Sequence, residues 1–377
     1  MTLTLRPLMA RHDGTVLENL PLHSHDGLEL GLTRITRGEA KASVLLLHGM
    51  TASADMFVLP ETRNTVDVLL DNGYEAWLLD WRGSCRLPHN EAGHPYTFDD
   101  VALHDIPAAV AAVRARIGAR PLFVLAHCVG ALTCALSLTA GLVPGLAGVV
   151  AQGVFLTPKM ALGTRLRLSL LGEIGRRQAK VIPVDFRRVG LWSRYTPLFA
   201  LASLSAEWST RRRGGPACAD PTCQMLHHSA WGIGASLFVH DHLHPRTHDR
   251  PAELVGPAPT CILPHLRKVE LARAVVAWHE GDPRYRALPS NALDEAHRID
   301  CPILLLSGSQ NGLWADSNQL CADVLARRHP SLDVRYVEVP DYGHFDAFVG
   351  RAAALDVFPH ITRWLDDTLA SRAPDPS

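Results

Sequence analysis

Leu122-Phe123-Val124-Leu125-Ala126-His127-Cys128-Val129-Gly130-Ala131-Leu132 is the stretch whose reading decides the fold. An apolar run of strand formers leads into small-x-Cys-x-Gly, and a helix-forming segment, Ala131 to Leu138, follows at once. That is the layout of a nucleophile elbow: a buried strand, a very tight turn and a helix leaving immediately. The turn crowds its neighbours, so the positions two before and two after the nucleophile must be small. Ala126 and Gly130 meet that need. The usual form is Gly-x-Ser-x-Gly; here Cys128 stands at the nucleophile position and Ala126 replaces the first Gly. The elbow would lift the sulfur to the carboxyl end of a sheet, above a helix N-terminus whose dipole favours thiolate. The alternative reading is a core strand that ends in a buried, inert cysteine.

Working outward, Leu22 to Thr36 reads as a strand pair around the turn His25-Asp26-Gly27. Lys41 to Gly49 is a continuous apolar run ending in His48-Gly49, as expected of a parallel strand covered on both faces. Thr65 to Asn72 reads as a helix closed by Gly73, and Tyr74 to Asp80 as a strand. A helix runs from Thr97-Phe98-Asp99-Asp100 to about Arg116. Gly145 to Phe155 is a further buried strand. From about Leu156 to Arg298 the strand–helix alternation breaks; it resumes at Cys301 to Gly308, with a helix over Ser317 to Arg328, a strand over Val334 to Val339, and a last helix through Leu369. Alternating strands and helices predict an α/β chain with a mostly parallel sheet and helices on both faces. The expected organisation is a core formed by residues 1–155 and 299–377, with residues 156–298 inserted as a lid over the site.

Composition sets bounds. The chain has 377 residues, 47% hydrophobic and 20% charged, enough for one large core with an insertion. No run approaches the roughly 18 apolar residues of a membrane span, and Met1 to Thr15 lacks an apolar signal core. A cytoplasmic location with reduced cysteines is therefore expected, and the irregular spacing of the eight Cys argues against a disulfide scaffold. Between Ala151 and Gly215 twelve Lys or Arg face three acids (Glu173, Asp185, Glu207), a local +9 in a chain of net charge −1. Such a patch would suit an anionic acyl carrier, a coenzyme A thioester or acyl-carrier protein. The plainer reading is a solvated helix face over Ala161 to Arg177, with Leu162, Leu166 and Ile174 inward and Arg165 and Arg176 outward. Arg211-Arg212-Arg213 reads as a solvated loop and the apolar segment Pro197 to Trp208 as packed lid core. The tail after Arg372 is expected to fray.

The chemistry-bearing residues fall in hydrolase order: nucleophile, third member, histidine. His344 follows a Gly directly after the last strand. A carboxylate is usual three residues past Ser307-Gly308, but Asn311 occupies that place. A thiol beside an imidazole can form a thiolate–imidazolium pair, so the third group need only orient the ring. Cys128 is the candidate nucleophile, His344 the base and Asn311 the orienter, with Asp316 and Asp346 as alternatives for the third role. The backbone N–H groups of Val129 and Met50 are the expected oxyanion hole. Cys218-x4-Cys223, near His227, His228, His240, His242 and His244, is compatible with zinc, but its spacing is loose and a structural lid cluster is the favoured reading. No metal is therefore assigned.

His48-Gly49-Met50-Thr51, Ser53 to Phe57, Asp71-Asn72-Gly73-Tyr74, Asp80-Trp81-Arg82-Gly83-Ser84, and Phe98-Asp99-Asp100 through Asp105-Ile106-Pro107-Ala108 resemble the acid-lipase branch of the α/β-hydrolase superfamily. The chain is still more similar to the hydrolase-like region fused behind cholesterol-oxidase-like glucose–methanol–choline oxidoreductases. The shared residues there are the Ala-His-Cys-Val-Gly elbow, Pro221-Thr222-Cys223, His240-Asp241-His242-Leu243, Thr247-His248-Asp249 and Tyr342-Gly343-His344-Phe345-Asp346. The resemblance spans about Leu22 to Trp364 and implies the α/β-hydrolase fold with a large inserted lid. A flavin-binding Gly-x-Gly-x-x-Gly is absent, so no cofactor is expected. Other Cys-elbow members, such as polyhydroxyalkanoate synthases and some thioesterase domains, pass acyl groups between thioesters. The expected activity is hydrolysis of an ester or thioester with a hydrophobic acyl part through an acyl-Cys. Transfer to an alcohol, amine or thiol is the second reading, and a non-catalytic binding protein with a degenerate site the third. The expected partner is a small-molecule or carrier-bound acyl substrate, with no nucleic acid and no membrane span.

Overall fold

Apolar runs bounded by turn residues form the sheet strands. In order these are β1 (Thr15–His23), β2 (Glu29–Arg37), β3 (Ala42–Leu47), β4 (Tyr74–Asp80), β5 (Leu122–His127), β6 (Gly148–Gln152), β7 (Ile303–Gly308) and β8 (Val334–Val339). The computed structural model describes residues 14–91, 93–165, 168, 180–182, 218, 220, 223, 226 and 237–372. Eight strands lie in the order β1-β2-β4-β3-β5-β6-β7-β8. β1 and β2 form an antiparallel hairpin, β2 joins β4 antiparallel, and every later pairing is parallel. β3, β5, β6 and β7 are buried along their whole length, which is why they read as continuous apolar runs. Their carboxyl ends, with that of β8, are neighbours along one edge of the sheet.

The main helices are α1 (Thr65–Asp71), α2 (Ile106–Ile117), α3 (Val129–Thr139), α4 (Leu263–Ala272), α5 (Ser317–Arg328) and α6 (Phe358–Arg372). Asn64 and Asp67 start α1 with a reciprocal capping box. The helix expected from Thr97 begins as one turn at Phe98–Asp100, widens into a π turn at Val101–Asp105 and continues as α2. The last helical stretch is three helices rather than one: Asp346–Val349, Ala353–Asp356 and α6. Gly350, in extended backbone, makes the first break.

Several of the motif residues named above hold loops. The Arg82 guanidinium is buried and grips both Asp105 and Asp26, tying the loop after β4 to α2 and to the β1–β2 turn. Asp80 accepts from Ser84 Oγ and from the backbone N–H of Ala54. Asp99 accepts from the N–H groups of Trp278 and His279.

Between β6 and β7 the described residues carry short helices, α4 and a two-residue strand pair, Val181–Ile182 with Ala258–Pro259. The expectation for Ala161 to Arg177 is altered where it can be read: Leu162 is exposed and Arg165 pairs with Glu270 at 2.9 Å. Leu166, Ile174 and Arg176, the segment Pro197 to Trp208, Arg211 to Arg213, and most of the +9 region lie outside the described residues, as do most of Met1 to Thr15 and the tail after Arg372. Among the described residues no helix is long and apolar enough to cross a membrane.

Candidate active site

β5 ends at His127, and Cys128 turns the chain with φ 56° and ψ −125° to become the N-cap of α3. A non-glycine residue in that region costs about 1–3 kcal/mol and persists only where its surroundings hold it. Here Cys128 N–H donates to the Gln152 carbonyl at 3.1 Å, and the Cys128 carbonyl accepts from Ala131 and Leu132. A Cβ at Gly130 would stand 2.5 Å from the His48 carbonyl oxygen, so α3 passes β3 with no room for a side chain. The requirement for small residues around the elbow is met as the sequence predicts.

Three donors converge on the Cys128 sulfur. The indole Nε1 of Trp314 donates to Sγ at 3.4 Å, and the backbone N–H groups of Val129 and Met50 point at it as well. The thiol is nonetheless buried, and desolvation outweighs those donors and pushes it up to about 11. The thiolate expected from the helix dipole is therefore not the resting form: loss of water around the sulfur is the larger effect.

His344 lies beside it. One donor atom each from His127, Cys128 and His344 fall within 4.8 Å of one another, and the two imidazoles are 4.5 Å apart, centre to centre. Gly153, at φ 89°, makes room for the ring; a Cβ there would stand 2.5 Å from His344 Cε1. Gln152, at the end of β6, holds both histidines. Its Oε1 accepts from His127 Nδ1–H and its Nε2 donates to the His344 carbonyl at 3.1 Å. Burial, and the neighbouring His127, hold His344 well below the usual imidazole value. Burial likewise takes His127 down to about 4. The resting site is thus a neutral thiol among neutral imidazoles, not an ion pair.

No candidate third member bonds the His344 ring, whose two nitrogens are buried without a hydrogen-bond partner among the described residues. Asn311 is buried nearby, but its Nδ2 donates to Ser307 Oγ at 3.2 Å and to the Gly153 carbonyl at 3.4 Å, while its Oδ1 accepts from Trp314 N–H at 3.1 Å. Asn311 therefore shapes the turn that presents Trp314 to the sulfur. Asp316 is half exposed, heads α5 and pairs with Lys159. Asp346 is fully buried but accepts from His242 Nδ1 at 2.8 Å and from Gly343 N–H at 3.1 Å.

Trp314, Gln152 and His127 escaped the sequence reading. Gln152 did leave a signal: it is the one polar residue in the apolar strand Gly148–Gln152. Trp314 left none, since a tryptophan three residues past a turn asparagine has no characteristic pattern.

Among the described residues, two side-chain sets have the donors to hold a metal: His127, Cys128 and His344 in the site itself, and Cys218, Cys223, His240 and His248 between β6 and β7. The second set differs from the sequence grouping. His242 is committed to Asp346, His244 caps its own helix by accepting from Arg246 N–H, and His248 takes their place. His227 and His228 lie outside the described residues.

An eight-stranded, mostly parallel sheet with an elbow after β5 and a histidine after β8 defines an α/β-hydrolase fold. A family model described as serine aminopeptidase, S33 matches residues 38–194. Lipase member K of Mus musculus is 23% identical over 368 residues, covering 92% of this chain and 87% of its own length. Human gastric triacylglycerol lipase is 27% identical over 128 residues, covering 30% of this chain and 32% of its own. Among solved structures, a thermostable carboxyl esterase from Bacillus coagulans in complex with glycerol superposes with a TM-score of 0.59 at 13% identity, over 94% of this chain and 99% of that one. The chain is thus an α/β-hydrolase by fold, distantly similar to acid lipases and bacterial esterases.

Proposed function

We propose that the protein is an esterase- or lipase-type hydrolase in which Cys128 is the nucleophile and an ester or thioester with a hydrophobic acyl part is the substrate. The observation that carries this reading is the convergence of the Met50 and Val129 amides on Cys128 Sγ with the His344 ring beside it. Those amides would donate to the oxyanion once sulfur bonds to the carbonyl carbon. With the thiol pushed up to about 11 and burial holding His344 well below the ordinary imidazole value, moving the proton before attack is uphill. The proton therefore passes to His344 as the C–S bond forms. Collapse of the adduct breaks the bond to the leaving group, which departs with that proton and leaves acyl-Cys128. Water, deprotonated by His344, then releases the acid and restores the thiol. Asn311 acts through the Trp314 turn.

A second reading, transfer of the acyl group to an alcohol, amine or thiol, is favoured by the burial of Cys128 and His344, which keeps water away from the acyl-enzyme. The deciding experiment is intact-protein mass spectrometry after incubation with aryl esters and acyl thioesters. An acyl mass adduct on the native chain, absent in Cys128→Ala, is expected. Turnover by Cys128→Ala at the native rate would overturn the assignment, and no adduct or turnover across the panel would leave a binding protein. Product analysis with added acceptors separates hydrolysis from transfer.

A further inference from the structure

We propose that Cys218, Cys223, His240 and His248 form a tetrahedral zinc site, separate from the nucleophile. One donor atom from each of the four lies within 4.8 Å of all the others. In a tetrahedral zinc centre, with Zn–S about 2.3 Å and Zn–N about 2.0–2.1 Å, neighbouring donors stand about 3.4–3.8 Å apart. Cys218 Sγ and His248 Nε2 are already 3.2 Å apart, and the His240 and His248 rings are 4.6 Å apart, centre to centre. The set needs only a small adjustment to close on an ion.

The surroundings are those of a metal site. His248 turns Nε2 toward Cys218 while its Nδ1 lies 3.8 Å from the Asp249 carboxylate. At 3.8 Å this is an ionic contact rather than a hydrogen bond; closed to hydrogen-bond distance on metal binding, it would be the outer carboxylate that fixes the tautomer of a ligating imidazole. His240 Nδ1 likewise has the Asp241 carboxylate at 4.0 Å. Asp220 accepts from Cys223 N–H at 2.9 Å. All eight cysteines are thiols. Two thiolates and two neutral imidazoles balance one Zn²⁺ without a further counter-ion, and loading releases the two thiol protons. Two sulfurs and two nitrogens in a tetrahedron suit zinc over magnesium or calcium, which take oxygen donors.

The site would do structural work at one remove from the chemistry. It joins Cys218 and Cys223 to the segment His240 to His248, and that segment is fastened to the His344 loop. Leu243 bridges Gly350, His242 pairs with Asp346, and Phe345 N–H donates to the Leu237 carbonyl at 2.8 Å. Zinc here would fix the support on which His344 is carried, and no ligand of the set touches the reacting atoms.

The test is metal analysis of the full chain purified without chelator. About one zinc per chain is expected, with Co²⁺ exchange giving a thiolate-to-cobalt band and the visible bands of a tetrahedral centre. His248→Ala and Cys218→Ser should lower the content to below about a tenth of an equivalent, while Cys128→Ala should retain it. If Cys218→Ser does not fold, the Co²⁺ spectrum of the native chain decides, because this site supplies two thiolates and the set around Cys128 only one. The proposal is overturned if the chain, given excess Zn²⁺, holds less than about a tenth of an equivalent. It is equally overturned if Co²⁺ gives an octahedral spectrum without a thiolate band, or if the metal is lost in Cys128→Ala and kept in His248→Ala. None of these readouts depends on hydrolase activity.

Discussion

At Cys128 two effects of opposite sign meet, and their balance sets the chemistry. Helix dipole, two amides and an indole favour the thiolate; removal from water opposes it and prevails, leaving the thiol near 11. The thiolate fraction should therefore climb about tenfold per pH unit through the neutral and alkaline range. Site-resolved alkylation with iodoacetamide should show Cys128 slow at neutral pH and still accelerating at about pH 9–10; a plateau beginning near pH 7 would mean an ion pair with His344. The indole donor can be weighed separately. Trp314→Phe keeps the ring and removes the N–H, and should lower kcat/KM by roughly five- to thirty-fold, the equivalent of about 1–2 kcal/mol. An unchanged kcat/KM would restrict Trp314 to packing.

Elements whose ends are set by local chemistry were legible in advance. Tyr74–Asp80, Ser317–Arg328 and Val334–Val339 have the bounds the sequence predicts, since each is an uninterrupted apolar or amphipathic run between turn residues. The elbow belongs with them, because crowding dictates residue size. Gly130→Ala should destabilise the chain by about 1–3 kcal/mol in urea unfolding, since the obstructing atom is the His48 backbone carbonyl, which cannot rotate away. A change below about 0.5 kcal/mol would show that α3 can shift on β3. The partner of His344 was not legible. Asn311 stands where a third member is expected, but its carbonyl oxygen goes to the Trp314 amide, a choice made by the turn geometry rather than by the residue type. Of the four clustered Cys and His, the sequence pointed to Cys218, Cys223 and His240 but not to His248, which tertiary packing brings to Cys218 from thirty residues away.

At the scale of the whole molecule, the halves of the sheet edge are joined by the segment that precedes β7. His242 and the buried Asp346 form a charge-assisted hydrogen bond across that junction, and the carboxylate raises the imidazole above its ordinary value. A histidine whose folded value is raised adds stability that is fully present below its unfolded value, about 6.5, and is lost as pH climbs through the folded one. His242→Ala should therefore cost about 1–2 kcal/mol at about pH 5 and clearly less at about pH 9, read from denaturant midpoints. Equal losses at both pH values would assign the contact to packing alone.

The same segment reaches the other side of the site. Val255 bridges Ala52, and Gly256 N–H donates to the carbonyl of Thr51, a buried residue held at φ 58°. Thr51 follows Met50, whose amide points at Cys128 Sγ. The segment between β6 and β7 therefore helps aim one of the two amides at the sulfur. Any replacement of this segment would have to preserve the Gly256–Thr51 clasp, or the catalytic loop would keep its sequence and lose its aim.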